Sequence, residues 1–348
     1  MFKRLLDVIL VSVLFAAPLA AFALPGSGVM VTERRLMAPF PEAPGLRQRE
    51  VRKFFRGVDA FFSDRFPLRP RLLGLSAALY GAMDASPNSD ACFRGKEDWL
   101  FTGNSYGRFV DKFQGAVTFS DEGLKEQTET FARFRNAAQA AGAEFFLIVS
   151  PEKISVYPEM LPLYIIPAPE RYVAPLLSAL AEAGVAAVDP TDRLKAEKSP
   201  SRALYYRTDT HWNLAGGHVA FEAFREKAGL PPLPPFSLVS LPPIRGDLVD
   251  VAGYTSFPLR EGDNFAPRWD PPLPVTDEGG GLFTNPAAPS GKTVWVFGDS
   301  ANYSMRPYFT AMFRKVRFFR AEELETVMAA RLHGPDMVVM IKVERTLG

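Results

Sequence analysis

The chain has 348 residues, enough to bury a full core in one large domain or two. Its 47% hydrophobic and 12% aromatic content is that of a globular protein and argues against a disordered one. With 40 Lys and Arg against 39 Asp and Glu the net charge is +1, not the basic excess of a nucleic-acid binder, and one cysteine, Cys92, excludes an internal disulfide and a cysteine zinc cluster.

The first residues carry Lys3 and Arg4 and then an uncharged apolar run, Val8 to Leu24. That is a secretion signal or a single membrane anchor within residues 1–27. The run is roughly three residues short of a comfortable span. Ala21-Phe22-Ala23 offers a small-x-small cleavage site, so both cleavage and retention stay open. The leading charges place the N-terminus in the cytoplasm and the bulk of the chain outside it, with Arg34 and Arg35 weakening that bias a little. A buried N-terminal helix is the alternative, but it would need a polar face.

Residues 47–82 read as two helices, broken at "DRFPLRPR" by Pro67 and Pro70. "FRGKEDWLF" (93–101) is turn-like and charged before it ends in apolar residues. From about residue 120 helices and strands alternate. Ser120 is a plausible N-cap, with Asp121 and Glu122 in the first turn. Leu124, Phe131, Phe134, Ala138 and Ala141 keep helical spacing up to Gly142. "EFFLIV" (144–149) is a continuous apolar run, as in a strand buried on both faces. Pro169 is expected to open a helix that carries Tyr172, Leu176, Leu177 and Leu180 and closes at Gly184. "VAAV" (185–188) is a second strand, and a helix with Val219, Phe221 and Phe224 follows Asn213.

"TVWVF" (293–297), "VRFF" (316–319) and "MVVMIKV" (337–343) are three more strands, with a helix over 321–331 between the last two. This alternation predicts an α/β three-layer sandwich with a parallel five-stranded sheet. One stretch, about 230–292, breaks the rhythm with "PPLPPF", "LPPIRGD" and "EGGGLF". It is either an insertion with small β-elements of its own or a functional loop, and it is expected to border the active-site cleft. Tyr254, Phe257, Phe265 and Trp269 within it either stack on sugar rings or pack the insertion down.

The chemistry is expected at two places. "VWVFGDSANYS" (294–304) runs an apolar strand into Gly298-Asp299-Ser300. At the C-terminal end of a parallel strand, side chains face the crevice where ligands bind. Ser300 there would be an exposed hydroxyl with backbone N–H groups nearby, as a nucleophile requires. Gly-Asp-Ser alone is a common turn; the strand before it is what gives it weight. "YYRTDTHWNLAGG" (205–217) supplies Asp209 and His211. A serine needs a base, histidine titrates near neutrality, and a carboxylate fixes the histidine tautomer. Asp-x-His brings both side chains to one side if the middle residue, Thr210, points away. Read singly, Asp209 is equally an N-cap and His211 a satisfied, partly buried histidine.

At these residues the chain resembles the SGNH hydrolase superfamily, and more narrowly the alginate O-acetyltransferase-like proteins of bacterial exopolysaccharide modification. The resemblance rests on Asp209-Thr210-His211-Trp212 paired with the later Gly298-Asp299-Ser300. "ERRLMAPFP" (33–41), "DRFPLR" (64–69), "GKEDWLF" (95–101), "PEKISVYPE" (151–159), "GDL" (246–248) and "VERTL" (343–347) extend it over nearly the whole chain. It departs from the ordinary superfamily order, because Asp209 and His211 precede the serine and lie one residue closer together. A circularly permuted sheet would explain that order.

The resemblance implies one acyltransferase domain over 28–348 with Ser300 as nucleophile, His211 as proton shuttle and Asp209 as its support. The implied reaction is acetyl transfer to hydroxyls of an exported polysaccharide in the periplasm, without a cofactor. A membrane-bound acyltransferase would be the donor partner, and a polysaccharide export complex the setting. For the oxyanion, Ser300 N–H is the first candidate, and Asn302, Tyr303 and Arg306 are weaker ones. Two rival readings remain: an esterase with the same three residues, and a silent glycan-binding or assembly subunit. A metal enzyme is a poor fit, since His211 and His218 lack a completing cluster, and no phosphate-binding loop is present.

Overall fold

Apolar runs without alternation bury both faces of a strand, and such strands pair in parallel beneath helices on each side. The computed structural model describes residues 29–30, 35–43, 48–66, 75–76, 79–80, 89–252, 262–329 and 334–348. The chain divides into two compact units, residues 1–88 with 249–258, and residues 89–248 with 259–348.

In the smaller unit an 18-residue helix spans Gln48–Arg65. Asp64 Oδ2 accepts the Ala38 N–H at 2.7 Å, and Arg65 donates to the Ala38 carbonyl at 2.8 Å while stacking on Phe61. The expected break at Pro67 and Pro70 lies outside the described residues, and residues 75–76 and 79–80 are helical. The apolar segment 1–27 also lies outside them. Among the described residues no helix is long and apolar enough to cross a membrane.

The larger unit begins with a hairpin, β1 (Cys92–Arg94) and β2 (Leu100–Thr102). Helix α1 (Asp121–Ala140) starts as the sequence predicts, with Ser120 Oγ accepting the Gly123 N–H at 3.0 Å. Strand β3 (Glu144–Ser150) follows, then α2 (Ala174–Glu182) and β4 (Ala186–Val188). Helix α2 begins five residues later than Pro169 suggests; Pro175 in its first turn is the proline that opens it. Gly184, at φ 69°, closes it. Helix α3 (Leu214–Lys227) is capped by Asn213, so Asp209 is not the N-cap.

The insertion folds into small β-elements. Strands β5 (Phe236–Ser240) and β6 (Phe265–Trp269) form an antiparallel pair. Strands β7 (Thr276–Gly279) and β8 (Leu282–Thr284) form a second, whose turn uses Gly279, Gly280 and Gly281, all at positive φ. After the insertion come β9 (Ser290–Gly298), α4 (Arg306–Met312), β10 (Phe313–Arg320), α5 (Leu324–Ala329) and β11 (Met337–Val343).

The main sheet has seven strands in the order β4-β3-β11-β9-β10-β8-β7. The first five are the predicted strands, and they are parallel. The sheet is nevertheless mixed rather than a five-stranded parallel one, because β8 joins β10 antiparallel and β7 extends it. These strands of three and four residues are too short to show a period amid glycines. The core lies on both faces. Phe146, Ile148, Val294, Val296 and Ile341 pack toward α3 and α4, and Phe145, Leu147, Val149, Phe297 and Met340 pack toward α1 and α2. Phe265 and Trp269 pack against the first of these clusters, Trp269 with its ring centroid 5.4 Å from Phe236. Tyr254 and Phe257 lie outside the described residues.

Candidate active site

Because the five strands are parallel, their C-terminal ends meet at one edge of the sheet. Ser300 follows β9, Glu152 and Lys153 follow β3, Asp189 follows β4, and Glu344 and Arg345 follow β11. The stretches "PEKISVYPE" and "VERTL" are therefore brought to the edge that carries Ser300.

The structure brings the three predicted side chains into one hydrogen-bonded line. His211 Nε2 is 2.7 Å from Ser300 Oγ, and His211 Nδ1 is 2.6 Å from Asp209 Oδ1. The His211 backbone N–H also donates to Asp209 Oδ1 at 3.0 Å, which closes the loop on itself. Ser300 is exposed, at the start of a short 3₁₀ segment (Ser300–Ser304), where Asp299 accepts the Ala301 N–H. The histidine loop and the serine turn are tied together directly. The Trp212 indole donates to the Ala301 carbonyl at 2.8 Å, and Ser304 Oγ donates to the Trp212 carbonyl at 2.7 Å. Glycine permits this approach: a Cβ on Gly217 would stand 2.1 Å from the Ser304 carbonyl oxygen.

Thr210 does not point away, contrary to the sequence expectation. Its Oγ1 lies 3.1 Å from His211 Nδ1 and donates to Asp247 Oδ2 at 2.9 Å. Asp247 belongs to the Pro/Gly-rich stretch, and its carboxylate draws the threonine inward. Its N–H donates to Asp209 Oδ2 at 3.0 Å, so the "GDL" turn touches the predicted carboxylate itself.

Lys153 supports the loop from below. It is buried, and its ammonium donates to the carbonyls of Tyr206, Arg207 and Asp209 at 2.9, 3.0 and 2.6 Å. Tyr157 Oη accepts the Leu204 N–H, and Tyr205 Oη donates to the Pro151 carbonyl. The hairpin joins in through the Leu100 N–H, which donates to the Arg207 carbonyl at 2.9 Å. Buried Glu344 accepts from Arg171, Ser155 Oγ and the Glu152 N–H, while Arg345 pairs with Glu152. Sequence reasoning missed Lys153 and Asp247 as site residues; the only signal was that both lie in stretches shared with the resembled family.

The charges follow from these contacts. Burial opposes the Asp209 charge, but the His211 hydrogen bond and charge, with the Asp247 N–H, hold its carboxyl down to about 2. Burial also opposes a charged imidazole, yet the Asp209 hydrogen bond and charge, with Asp247 beyond, raise His211 above the ordinary histidine value. Burial and then the Asp209 charge push Asp247 up. Burial pulls Lys153 down to about 8 against the attraction of Asp209.

Of the weaker oxyanion candidates, Asn302 is buried, with its Oδ1 accepting from Arg306 Nε at 2.9 Å. Arg306 stacks over the exposed Tyr303 ring at 4.3 Å. Among the described residues, Asp209, His211 and Asp247 are a group with ligand-type atoms within 4.8 Å of one another. All four of its carboxylate oxygens accept protein donors: Asp209 from His211 and the Asp247 N–H, Asp247 from the Thr210 N–H and Oγ1. The group is thus knit together by the protein's own hydrogen bonds. His218 is half-buried against Phe236 and Tyr308, away from that group.

Known proteins share this architecture. Residues 92–312, well over half the chain, match the family described as SGNH hydrolase-like domain, acetyltransferase AlgX. The probable alginate O-acetylase AlgJ of Pseudomonas syringae pv. tomato is 26% identical over 210 residues, 56% of this chain and 50% of that protein. The chain thus spans about half the length of this curated relative. The O-acetyltransferase domain of Pseudomonas putida AlgJ superposes with a TM-score of 0.52 at 18% identity, over 74% of this chain and 92% of that one. Bacillus cereus PatB1 with a sulfonyl adduct gives 0.53 at 12%, over 73% and 94%. At these identities the two structures show a common fold. With its sheet, its serine turn and a match over most of its length, the chain belongs to the SGNH hydrolase-like acetyltransferase AlgX family.

Proposed function

We propose that this protein is an O-acetyltransferase that moves an acetyl group through Ser300 onto hydroxyls of an exported polysaccharide. The observation that carries the reading is the unbroken line Asp209–His211–Ser300 at the C-terminal edge of the sheet.

In this reading Ser300 Oγ attacks the acetyl carbonyl of the donor and passes its proton to His211 Nε2. Asp209, ionised down to about 2, stabilises the imidazolium. The donor's leaving group takes that proton as its bond to the acetyl carbon breaks. A sugar hydroxyl then gives its proton to His211, attacks acetyl-Ser300, and Ser300 regains the proton as it leaves. Ser300 N–H, at the start of the 3₁₀ segment where the first N–H groups have no partner within the helix, is the proposed oxyanion donor.

The polysaccharide acceptor is proposed from the alginate O-acetylase named among the relatives. A membrane-bound acyltransferase as donor and an export complex as setting are proposed from the resemblance to the alginate O-acetylation proteins, and Lys3, Arg4 and the apolar run that follows support a periplasmic site.

The test uses the purified full chain with p-nitrophenyl acetate, with and without an acetylatable oligosaccharide analysed by mass spectrometry. Nitrophenol release that vanishes in Ser300→Ala, together with acetylated sugar, is the expected result. Release without sugar acetylation would make the protein an esterase. Background release from both proteins and no acetylated sugar would leave a non-catalytic subunit.

A further inference from the structure

The catalytic reading uses Asp209, His211 and Ser300 but leaves Thr210 and Asp247 without a task. The two are bound tightly to each other. Asp247 Oδ1 accepts the Thr210 N–H at 2.9 Å, and Asp247 Oδ2 accepts the Thr210 hydroxyl at 2.9 Å. Asp247 opens a five-residue helix, Asp247–Val251, and three successive N–H groups at its start bind the histidine loop. Gly246 N–H donates to Thr208 Oγ1 at 3.0 Å, Asp247 N–H to Asp209 Oδ2 at 3.0 Å, and Leu248 N–H to the Thr208 carbonyl at 3.1 Å. A Cβ on Gly246 would stand 2.1 Å from the Thr208 carbonyl oxygen, so only glycine allows this approach.

A carboxylate accepts hydrogen bonds and cannot donate. The Thr210 hydroxyl hydrogen is therefore committed to Asp247. What Thr210 Oγ1 presents to His211 Nδ1, 3.1 Å away, is lone pairs alone. Asp209 Oδ1, 2.6 Å from the same nitrogen, is also an acceptor. Two acceptors on one side of the ring require the hydrogen on Nδ1. Nε2 is then left with its lone pair toward Ser300 Oγ.

We propose that Asp247 is a positioning residue which, through the Thr210 hydroxyl, holds His211 in the tautomer that can take the proton of Ser300. The proposal rests on the catalytic reading above. Its physical consequence is specific. An asparagine at 247 would keep its carbonyl on the Thr210 N–H and turn its NH₂ to Thr210 Oγ1. The hydroxyl would then have to accept from that NH₂, and its hydrogen would be free to turn to Nδ1 and favour the wrong tautomer. The other charged groups around this cluster are Asp209, Lys153, Glu152, Arg345 and Asp299.

The test combines kinetics with imidazole ¹⁵N chemical shifts, which report each tautomer directly. The chain has three histidines, and a His218→Gln/His333→Gln background isolates the His211 signal. In that background the Nδ1–H form should dominate, and Asp247→Asn should populate the Nε2–H form. In the same variant kcat for nitrophenyl acetate should fall about tenfold with KM unchanged, and the acidic limb of the pH profile should move to lower pH as a negative charge is lost. Thr210→Val should lose a similar factor, and Thr210→Ser, which keeps the hydroxyl, should recover most of it. Asp247→Asn added to Thr210→Val should cost under twofold more, because the relay is already cut. Additive effects of the two substitutions, or an undisturbed Nδ1–H form in Asp247→Asn, would overturn the proposal. If Asp247→Asn does not fold, the Thr210→Val and Thr210→Ser pair decides alone by the same two readouts. Failure of the catalytic reading would show separately, as unchanged turnover in Ser300→Ala, and the ¹⁵N result stands whatever the turnover.

Discussion

The indole N–H of Trp212 donates to the carbonyl of Ala301 at 2.8 Å, so the residue after the histidine is bonded to the residue after the serine. Two segments 89 residues apart in the chain are thereby held in register. Trp212→Phe keeps the ring in its buried place and removes this bond. Leaving the buried Ala301 carbonyl unpaired should cost about 1–2 kcal/mol in denaturant unfolding. Turnover should fall about tenfold as the Ser300–His211 distance loosens.

Gly217 sits where the first turn of α3 meets the serine segment. Gly217→Ala places a methyl 2.1 Å from the Ser304 carbonyl oxygen, and backbone on both sides must move. The expected outcome is a loss of about 1–3 kcal/mol and a turnover decrease of about a hundredfold. Equal activity to the parent would show that the two segments separate without harm.

Lys153 is a buried cation that holds three carbonyls of the histidine loop. Lys153→Met matches its length but offers no donor. The loop carbonyls then lose their partners, and stability should fall by about 3 kcal/mol, read from urea midpoints at constant m-value. Activity should fall with it, since the Asp209 carbonyl is one of the three.

The pH dependence has two parts with opposite signs. Asp209 is held down to about 2, so its contribution to stability is full above the unfolded carboxylate value of about 3.9 and is lost as pH falls from there through about 2. His211 is raised, so its contribution is full below the unfolded histidine value of about 6.5 and is lost as pH rises through the higher folded value. The stability difference between the parent and Asp209→Asn should therefore be greatest between about pH 4 and 6 and narrow on either side. Denaturant curves across pH 2 to 9 check it. In the proposed mechanism the acidic limb of kcat/KM reports neutral His211, and it should lie above the ordinary histidine value and drop in Asp209→Asn.

Some of this was legible in the sequence. Strands such as Glu144–Ser150 and Met337–Val343 are buried on both faces, so their apolar runs are continuous and stand out from the helices between them. That Asp209, His211 and Ser300 meet in one hydrogen-bonded line was legible because few residue types suit such a line and because Ser300 follows such a strand. Lys153 and Asp247 were not. A lysine in a polar stretch and an aspartate in a proline-rich one look solvated until the fold shows what lies above them. Strands Thr276–Gly279 and Leu282–Thr284 escaped because they are held by pairing to Phe313–Arg320, and not by a pattern of their own.

By itself, then, the sequence determined the five parallel strands and the residue types at the sheet's edge, since burial on two faces and proton chemistry both restrict composition locally. The tertiary structure alone decided that the inserted stretch adds two antiparallel strands, that Thr210 turns inward, and that Lys153 and Asp247 grip the histidine loop from opposite parts of the chain. Those are hydrogen bonds between residues far apart in sequence, and no local pattern encodes them until the backbone brings donor and acceptor within 3 Å.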